Sequence, residues 1–349
     1  MQELPGCNPP SKAVSRPPGG FLTRRSALLG LGAATTLSRP SRAYTLPRYL
    51  RLGFTGGHGS ALGTGAGAFA EAISSQTGGT WQIDLFANNT LGGEVELIDA
   101  VRNGEVDIAY ISTVAMNNVR PSFALFDIPF LFNNVAQARA VIDGPIGQAY
   151  LQDCNNLHMV GLAWGENGMR HLTNSRHPVH AASDLRGLKL RVPQSDIMVQ
   201  GFEAMGAHVQ ALPFPALYGA LASQAIDGQE NPISMIVAGQ FAKVQRYLSL
   251  TAHVYSPALF LMSPDCYGRL GQAERSVFRS AAQTGGSASR RAGDISERTG
   301  LDTLRRQGMH IVETVDRDSF VAAMRPLQPG FEARFGSAPF ATISKTKAG

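Results

Sequence analysis

The sequence predicts an α/β fold in two lobes, each a mainly parallel sheet flanked by helices. Three observations predict it. Strand-length runs alternate with segments of helical period, the order that builds parallel sheets. The alternation then starts again in the second half of the chain. Finally, 349 residues at 44% hydrophobic content suffice for two packed cores and are too many for one.

Residues 48–54 alternate polar and apolar side chains and run into Gly56-Gly57-His58-Gly59, a strand entering a loop. Residues 67–77 set Phe69, Ala72, Ile73 and Gln76 at helical spacing, and Gly78-Gly79 stops them. A second strand follows at 81–87. Residues 92–103 form a helix with Val95, Ile98 and Val101 on one face, closed by Gly104. The run 106–112 is apolar enough for a buried parallel strand. In such a lobe, ligand chemistry sits at the C-terminal strand ends.

The second pass begins with a helix at 136–154, a strand at 158–164 and a short extended piece at 171–173. A strand at 188–192 leads to a helix at 195–205. A strand at 209–212 leads to a helix at 214–223 with Leu217 and Leu221 inward. Residues 254–262 form an apolar strand. Residues 273–307 form a long helical stretch weakened by Gly285-Gly286, and the polar tail 338–349 frays. Crossing segments join the two lobes.

The formal net charge is +5, but its location matters. Residues 1–43 hold Lys12, Arg16, Arg24, Arg25, Arg39 and Arg42 against Glu3 alone. Setting these aside from 31 basic and 26 acidic residues leaves 25 of each. The folded part is formally neutral, which argues against a nucleic-acid binder. Thr23-Arg24-Arg25-Ser26-Ala27-Leu28-Leu29 opens a short apolar run, and Ser41-Arg42-Ala43 offers small residues for a signal peptidase. Residues 1–43 therefore read as a cleaved export signal resembling the twin-arginine type, with export by the general secretory route left open. No later stretch has the length and apolarity of a membrane span.

Cys7 leaves with the signal. Cys154 and Cys266 lack metal-ligand spacing, and a disulfide and two separate buried thiols both stay open. The glycines at 56–67 do not spell G-x-G-x-x-G, and Asn88-Asn89 stands where a dinucleotide site wants an acid. G-x-S-x-G, the P-loop and H-E-x-x-H are absent, and Ser60 beside His58 reads as a solvated turn. The eight histidines show no i, i+4 pairing, so no metal and no cofactor is expected.

Polar residues do occur where a core should have none. Arg170 follows Trp164-Gly165-Glu166-Asn167-Gly168-Met169, and Arg191 sits in the apolar strand end Leu188-Lys189-Leu190-Arg191-Val192-Pro193. A guanidinium is costly to bury unless an anion meets it, and its fork matches a carboxylate. Asn231, in an expected turn at 227–232, presents an amide to the same anion. The competing reading pairs each arginine with an internal acid such as Glu166, Asp184 or Glu230.

The run Asp184-Leu185-Arg186-Gly187-Leu188-Lys189-Leu190-Arg191-Val192-Pro193 resembles the signature of TRAP-type (tripartite ATP-independent periplasmic) solute-binding proteins, the DctP-like family. So does Leu212-Pro213-Phe214-Pro215-Ala216-Leu217-Tyr218-Gly219-Ala220-Leu221 and the following Asp227-Gly228-Gln229-Glu230-Asn231-Pro232. Phe69-Ala70-Glu71, Asn89-Thr90-Leu91-Gly92-Gly93-Glu94, Gly104-Glu105-Val106-Asp107 and Asp127-Ile128-Pro129-Phe130-Leu131-Phe132 agree in order. The matches cover roughly residues 48–270.

The resemblance implies a periplasmic-binding-protein clamshell. One lobe is expected at 44–167 and 257–296, the other at 168–256 and 297–349. It further implies that Arg191 binds the ligand carboxylate, with Arg170 and Asn231 beside it, Phe214 packing on the ligand and Gln194 in contact. First-lobe contacts are expected from His58, Glu94, Thr113 and Tyr255. The expected ligand is a small organic acid (a sugar acid, an aromatic acid or a dicarboxylate), weakly favouring a hydroxylated or ring-bearing monocarboxylate. The expected partner is a membrane permease in the periplasmic setting, with no catalysis. A same-fold receptor feeding a sensor and an exported α/β enzyme are the alternatives. Two departures stand out: the glycine-rich loop at 56–67, and Gly285-Gly286 within what is normally an unbroken lobe-bridging helix.

Overall fold

The computed structural model describes residues 46–346, so the expected export signal lies outside the described residues. In chain order come β1 (Arg48–Phe54), α1 (Ala61–Gln76), β2 (Trp81–Phe86), α2 (Glu94–Arg102), β3 (Ile108–Ser112) and α3 (Thr113–Met116). A 3-10 segment (Pro121–Asp127), α4 (Val135–Asp143) and α5 (Pro145–Asp153) lead to β4 (Val160–Asn174). Then follow β5 (Lys189–Val192), α6 (Asp196–Ala204), β6 (His208–Ala211), α7 (Phe214–Ala222), β7 (Gly228–Pro232) and α8 (Ile233–Ala238). The chain ends with β8 (Tyr247–Met262), α9 (Pro264–Gly268), α10 (Gln272–Ile295), α11 (Leu301–Arg306), β9 (His310–Val312), α12 (Arg317–Met324), α13 (Gln328–Phe335) and α14 (Ser337–Lys345).

The strands form one sheet in the order β2-β1-β3-β8-β4-β7-β5-β6, with β9 beside β8. β1 pairs in parallel with β2 and β3, and β5 pairs in parallel with β6 and β7. These two parallel groups are the α/β units expected from the sequence. β4 and β8 run antiparallel to each other between them and belong to both. The pieces expected at 158–164 and 171–173 are thus parts of one fifteen-residue strand, buried throughout. Its polar residues and glycines hide it from a periodicity argument, because both faces are covered. Register shifts fall between Gly161/Ala163, Glu166/Gly168 and Arg170/Leu172. Such bulges bend a strand and re-aim its side chains.

Among the described residues, apolar side chains form three clusters. β1, β2, α1 and α10 enclose one that contains Phe69, Phe260 and Phe278. A second lies under α7, α8 and α11 around Leu217, Leu221 and Phe241. The largest holds α2, α6 and α12 to the other face of the sheet, through Leu97, Phe202 and Phe320 among others. Cys154 sits in that cluster and Cys266 in the first, and both thiols are free.

Several local expectations need correction. α1 begins at Ala61, six residues before 67, because Ser60 caps it by accepting from the Gly63 amide at 3.0 Å. The helix expected at 136–154 is two, broken at Gly144-Pro145 with Pro145 opening the second. The tail is helical as far as Lys345: Ile343 is buried, and its carbonyl accepts from Gln137 Nε2 at 2.9 Å. α10 runs unbroken through Gly285 and Gly286. These glycines are a packing surface, since a methyl on Gly286 would collide with the Trp164 carbonyl oxygen of β4. Gly286→Ala should therefore destabilise the protein by about 1–3 kcal/mol through forced separation of α10 from the sheet. Urea unfolding measures this, and an unchanged midpoint would contradict it.

Candidate functional site

A cavity of 50 Å³ lies at the C-terminal ends of β3, β5 and β7, beside the bulged middle of β4. It is lined from the first α/β unit by Glu94, Val95, Ser112, Val114 and Ala115. From the second come Arg191, Pro193, Gln194, Pro213, Phe214 and Asn231, with Asn167 and Arg170 supplied by β4. The position is the one that strand polarity predicts for ligands in open α/β sheets.

Arg191 is the third residue of β5, between the fully buried Leu190 and Val192. Only 2% of it is exposed. Nε and Nη2 both donate to the Leu212 carbonyl, at 2.8 and 2.5 Å. Among the described residues it forms no ion pair, and Nη1 makes no hydrogen bond. Burial depresses its pKa to about 9, with Glu230 opposing the shift, Arg170 adding to it and Glu94 opposing it. It stays charged at neutral pH. The cavity thus holds a desolvated guanidinium that, among the described residues, no carboxylate contacts directly, an arrangement that an arriving carboxylate completes.

Arg170 is equally buried but has its partner. Nε and Nη2 bond the two Glu230 carboxylate oxygens at 2.5 and 2.8 Å, and Nη2 also reaches the Asn231 Oδ1 at 3.2 Å. His253 Nε2 lies 3.0 Å from the same Glu230 carboxylate, and its Nδ1 is 2.7 Å from the Thr251 hydroxyl. Burial works to raise the Glu230 pKa, yet Arg170 and His253 bring it below the ordinary range. Of the internal acids weighed from sequence, Glu230 pairs with Arg170 and none pairs with Arg191. Asn231 lies in strand β7, opposite His171 of β4, not in a turn. Its Nδ2 donates to Gln229 Oε1 at 2.5 Å, so much of this amide is spent in orienting Arg170.

Across the cavity, Glu94 opens α2 and is held by two donors, the Ser112 amide at 2.8 Å and hydroxyl at 2.7 Å. Burial raises its pKa, against the Ser112 bonds and the two arginines. Phe214, Pro193 and Pro213 form an apolar wall, with the Phe214 ring 6.0 Å from Phe241. Gln194 sits exposed at the rim, its carbonyl accepting from Asn118 Nδ2 at 3.5 Å.

Three expected residues do not line the cavity. His58 is exposed on its loop with its ring 5.7 Å from Phe54. Thr113 is fully buried, its hydroxyl 3.5 Å from the Pro257 carbonyl. Tyr255 donates to Glu166 Oε2 at 2.8 Å, in a network that also contains Arg139 and Asp294. Two polar lining residues escaped sequence reasoning, besides the apolar ones. Ser112 precedes Thr113 by one position, and only the end of β3 decides which of the two faces the cavity. Asn167 is 4% exposed, its side chain makes no hydrogen bond among the described residues, and its Oδ1 is buried without a partner. An amide left so costs about 1–3 kcal/mol unless a ligand or water meets it. Its signal was an amide between Glu166 and Gly168 in an extended run, which reads equally well as a loop.

Comparison with known proteins identifies the family. The profile of the DctP family, described as bacterial extracellular solute-binding protein, family 7, matches residues 53–334. A protein named solute-binding protein from Verminephrobacter eiseniae is 36% identical over 294 residues, covering 84% of this chain and 88% of its own. A TRAP periplasmic solute-binding protein from Polaromonas sp. JS666, bound to D-erythronate, superposes with a TM-score of 0.84 at 39% identity, covering 86% of this chain and 99% of its own. A second such protein, from Bordetella, with density assigned as pantoate, gives 0.83 at 39% identity, with coverages of 86% and 99%. With the profile spanning most of the chain and these relatives matching its whole two-unit body, the chain belongs to family 7 of the bacterial extracellular solute-binding proteins, as a transport receptor and not an enzyme.

Proposed function

We propose that this protein is the exported receptor of a tripartite transporter, and that it captures a short hydroxylated monocarboxylate for a membrane permease. The observation that carries the reading is Arg191, a buried guanidinium with no carboxylate partner, facing a cavity between the two units. The ligand carboxylate bonds Arg191, with Arg170 held alongside by Glu230. Glu94 and Asn167 then meet hydroxyl groups: each accepts a hydrogen bond, the first at its carboxylate and the second at its orphan Oδ1. A second carboxylate at the Glu94 end would face a like charge, which disfavours dicarboxylates. The short hydroxy acids named with the 39% identical relatives, D-erythronate and pantoate, support this ligand class.

The mechanism is a clamshell closure. We assign residues 44–167 and 257–296 to one lobe and 168–256 and 297–349 to the other. The register shift between Glu166 and Gly168, opposite Pro257 and Ser256, supports this division. A bulge at Asn167 of β4, one of the two crossing strands, is a place for a hinge. Acid bound to Arg191 and Glu94 favours the closed form because only that form makes both sets of contacts. Residues 1–43, with Arg24-Arg25 ahead of the apolar run, serve as the twin-arginine export signal to the periplasm. A thermal-shift screen of purified protein against D-erythronate, pantoate, galactonate, succinate, amino acids and neutral sugars tests the ligand class. An acid at 100 times its Kd should add about 2.7 kcal/mol to stability. Short hydroxy monocarboxylates should give the largest shifts. Shifts from amino acids or neutral sugars with none from acids would sink the reading.

A further inference from the structure

Asp127 ends the 3-10 segment and is 1% exposed. Its Oδ2 accepts from Asn117 Nδ2 at 2.9 Å, on the α3 side, and from Ser195 Oγ at 2.8 Å, on the other. Ser195 caps α6, accepting from the Met198 amide, and directly follows Gln194 of the cavity rim. The Gln194 carbonyl in turn accepts from Asn118. The loop joining Arg191 to α6 is therefore tied twice to the segment after β3, whose Val114 and Ala115, with Ser112 at the end of β3, line the opposite cavity wall. The Asp127 Oδ1 is buried without a partner. A carboxylate that spends one oxygen on two donors and leaves the other bare is poorly built as a structural anion, so it needs another reason to be there.

We propose that Asp127 and Ser195 form a latch between the two walls of the cavity, making Asp127 a positioning residue that holds the Arg191–Gln194 loop against the closed site. The proposal rests on the receptor reading above, since closure around a ligand is what the latch serves. The charges facing Asp127 are Arg170 of β4 and Glu230 of β7, with His253 of β8 behind Glu230. Burial pushes its carboxyl up to about 7, against the Asn117 and Ser195 bonds and Arg170, with Glu230 adding to the rise. A group whose pKa is raised in the closed form favours that form fully at low pH, and the advantage is lost as pH rises through the raised value. Opening the latch would rehydrate Asp127 and release its proton.

The test is calorimetric titration of D-erythronate into the wild type, Asp127→Ala and Asp127→Asn, from about pH 5.5 to about pH 8. Asp127→Ala should bind about tenfold more weakly, chiefly through faster dissociation. Asp127→Asn keeps both donors' acceptor and should match the wild type at the acid end. Wild-type affinity should fall several-fold toward the alkaline end, and the Asn variant should lose that slope. Glu94 is common to both proteins, so its contribution cancels and the difference isolates Asp127. Unchanged affinity in Asp127→Ala, or a slope surviving in Asp127→Asn, would overturn the latch. If the wild type binds no acid, the ligand reading fails, and hydrogen exchange of residues 194–199 in the unliganded proteins decides the latch. Faster exchange in Asp127→Ala supports it, and equal rates overturn it.

Discussion

Replacing Arg191 with Lys should weaken acid binding about a hundredfold, near 3 kcal/mol, while the protein stays folded. An ammonium on a flexible stem cannot both hold the Leu212 carbonyl and present a planar pair of donors to a carboxylate. The sharper expectation concerns stability. Arg191 forms no ion pair among the described residues, and burial, with Arg170 adding to it, draws its pKa down to about 9 against Glu230 and Glu94. Removing that charge with Arg191→Met should leave the unliganded protein as stable as the wild type or more so, because an apolar isostere relieves desolvation without orphaning an anion. Titration calorimetry with D-erythronate and thermal unfolding of the free proteins measure the two effects. Near-normal binding by the Lys variant would remove Arg191 as the anchor. A large stability loss in the Met variant would mean that it has a structural partner.

Glu230→Ala should behave in the opposite way, costing about 3–5 kcal/mol of stability along with binding. The carboxylate is fully buried and is the meeting point of Arg170 and His253. Without it, the Arg170 guanidinium keeps only the Glu230 carbonyl and the Asn231 amide. A fall in Tm of roughly ten degrees follows for a chain of this size. The depressed Glu230 pKa also sets a pH window. Its contribution is present above the ordinary carboxylate range and is lost as pH falls through that range and below. Urea unfolding of both proteins at neutral and acidic pH reads these terms. A loss under about 1 kcal/mol would show that the pair contributes little beyond its own desolvation.

These two arginines looked alike in the sequence. Each was a guanidinium in an extended, largely apolar run, and each had acids within reach by any plausible fold. What separates them is that β7 pairs antiparallel with β4, setting Glu230 opposite Leu172 and next to Arg170. β5 meets β7 only in parallel, through Leu190 and Arg191, and sends the Arg191 head toward Leu212. The same limit explains Thr113 and Ser112. Neighbouring residues at a strand end face opposite ways, and a shift of one position exchanges the cavity for the core.

The sequence alone determined the two α/β units, the strands β1–β3 and β5–β6, the helices between them, the neutral folded charge and the residue types of an anion site. Local periodicity, glycine stops and the placement of charge carry that information without reference to distant partners. Tertiary structure alone decided that β4 and β8 are shared by both units, and that Gly285-Gly286 is a contact surface and not a break. It also decided that Asn167 and Ser112 face the cavity while Tyr255 and Thr113 do not, and that Arg191 is the arginine left without a partner. Each of these depends on what another segment brings against the residue, and sequence spacing does not encode that.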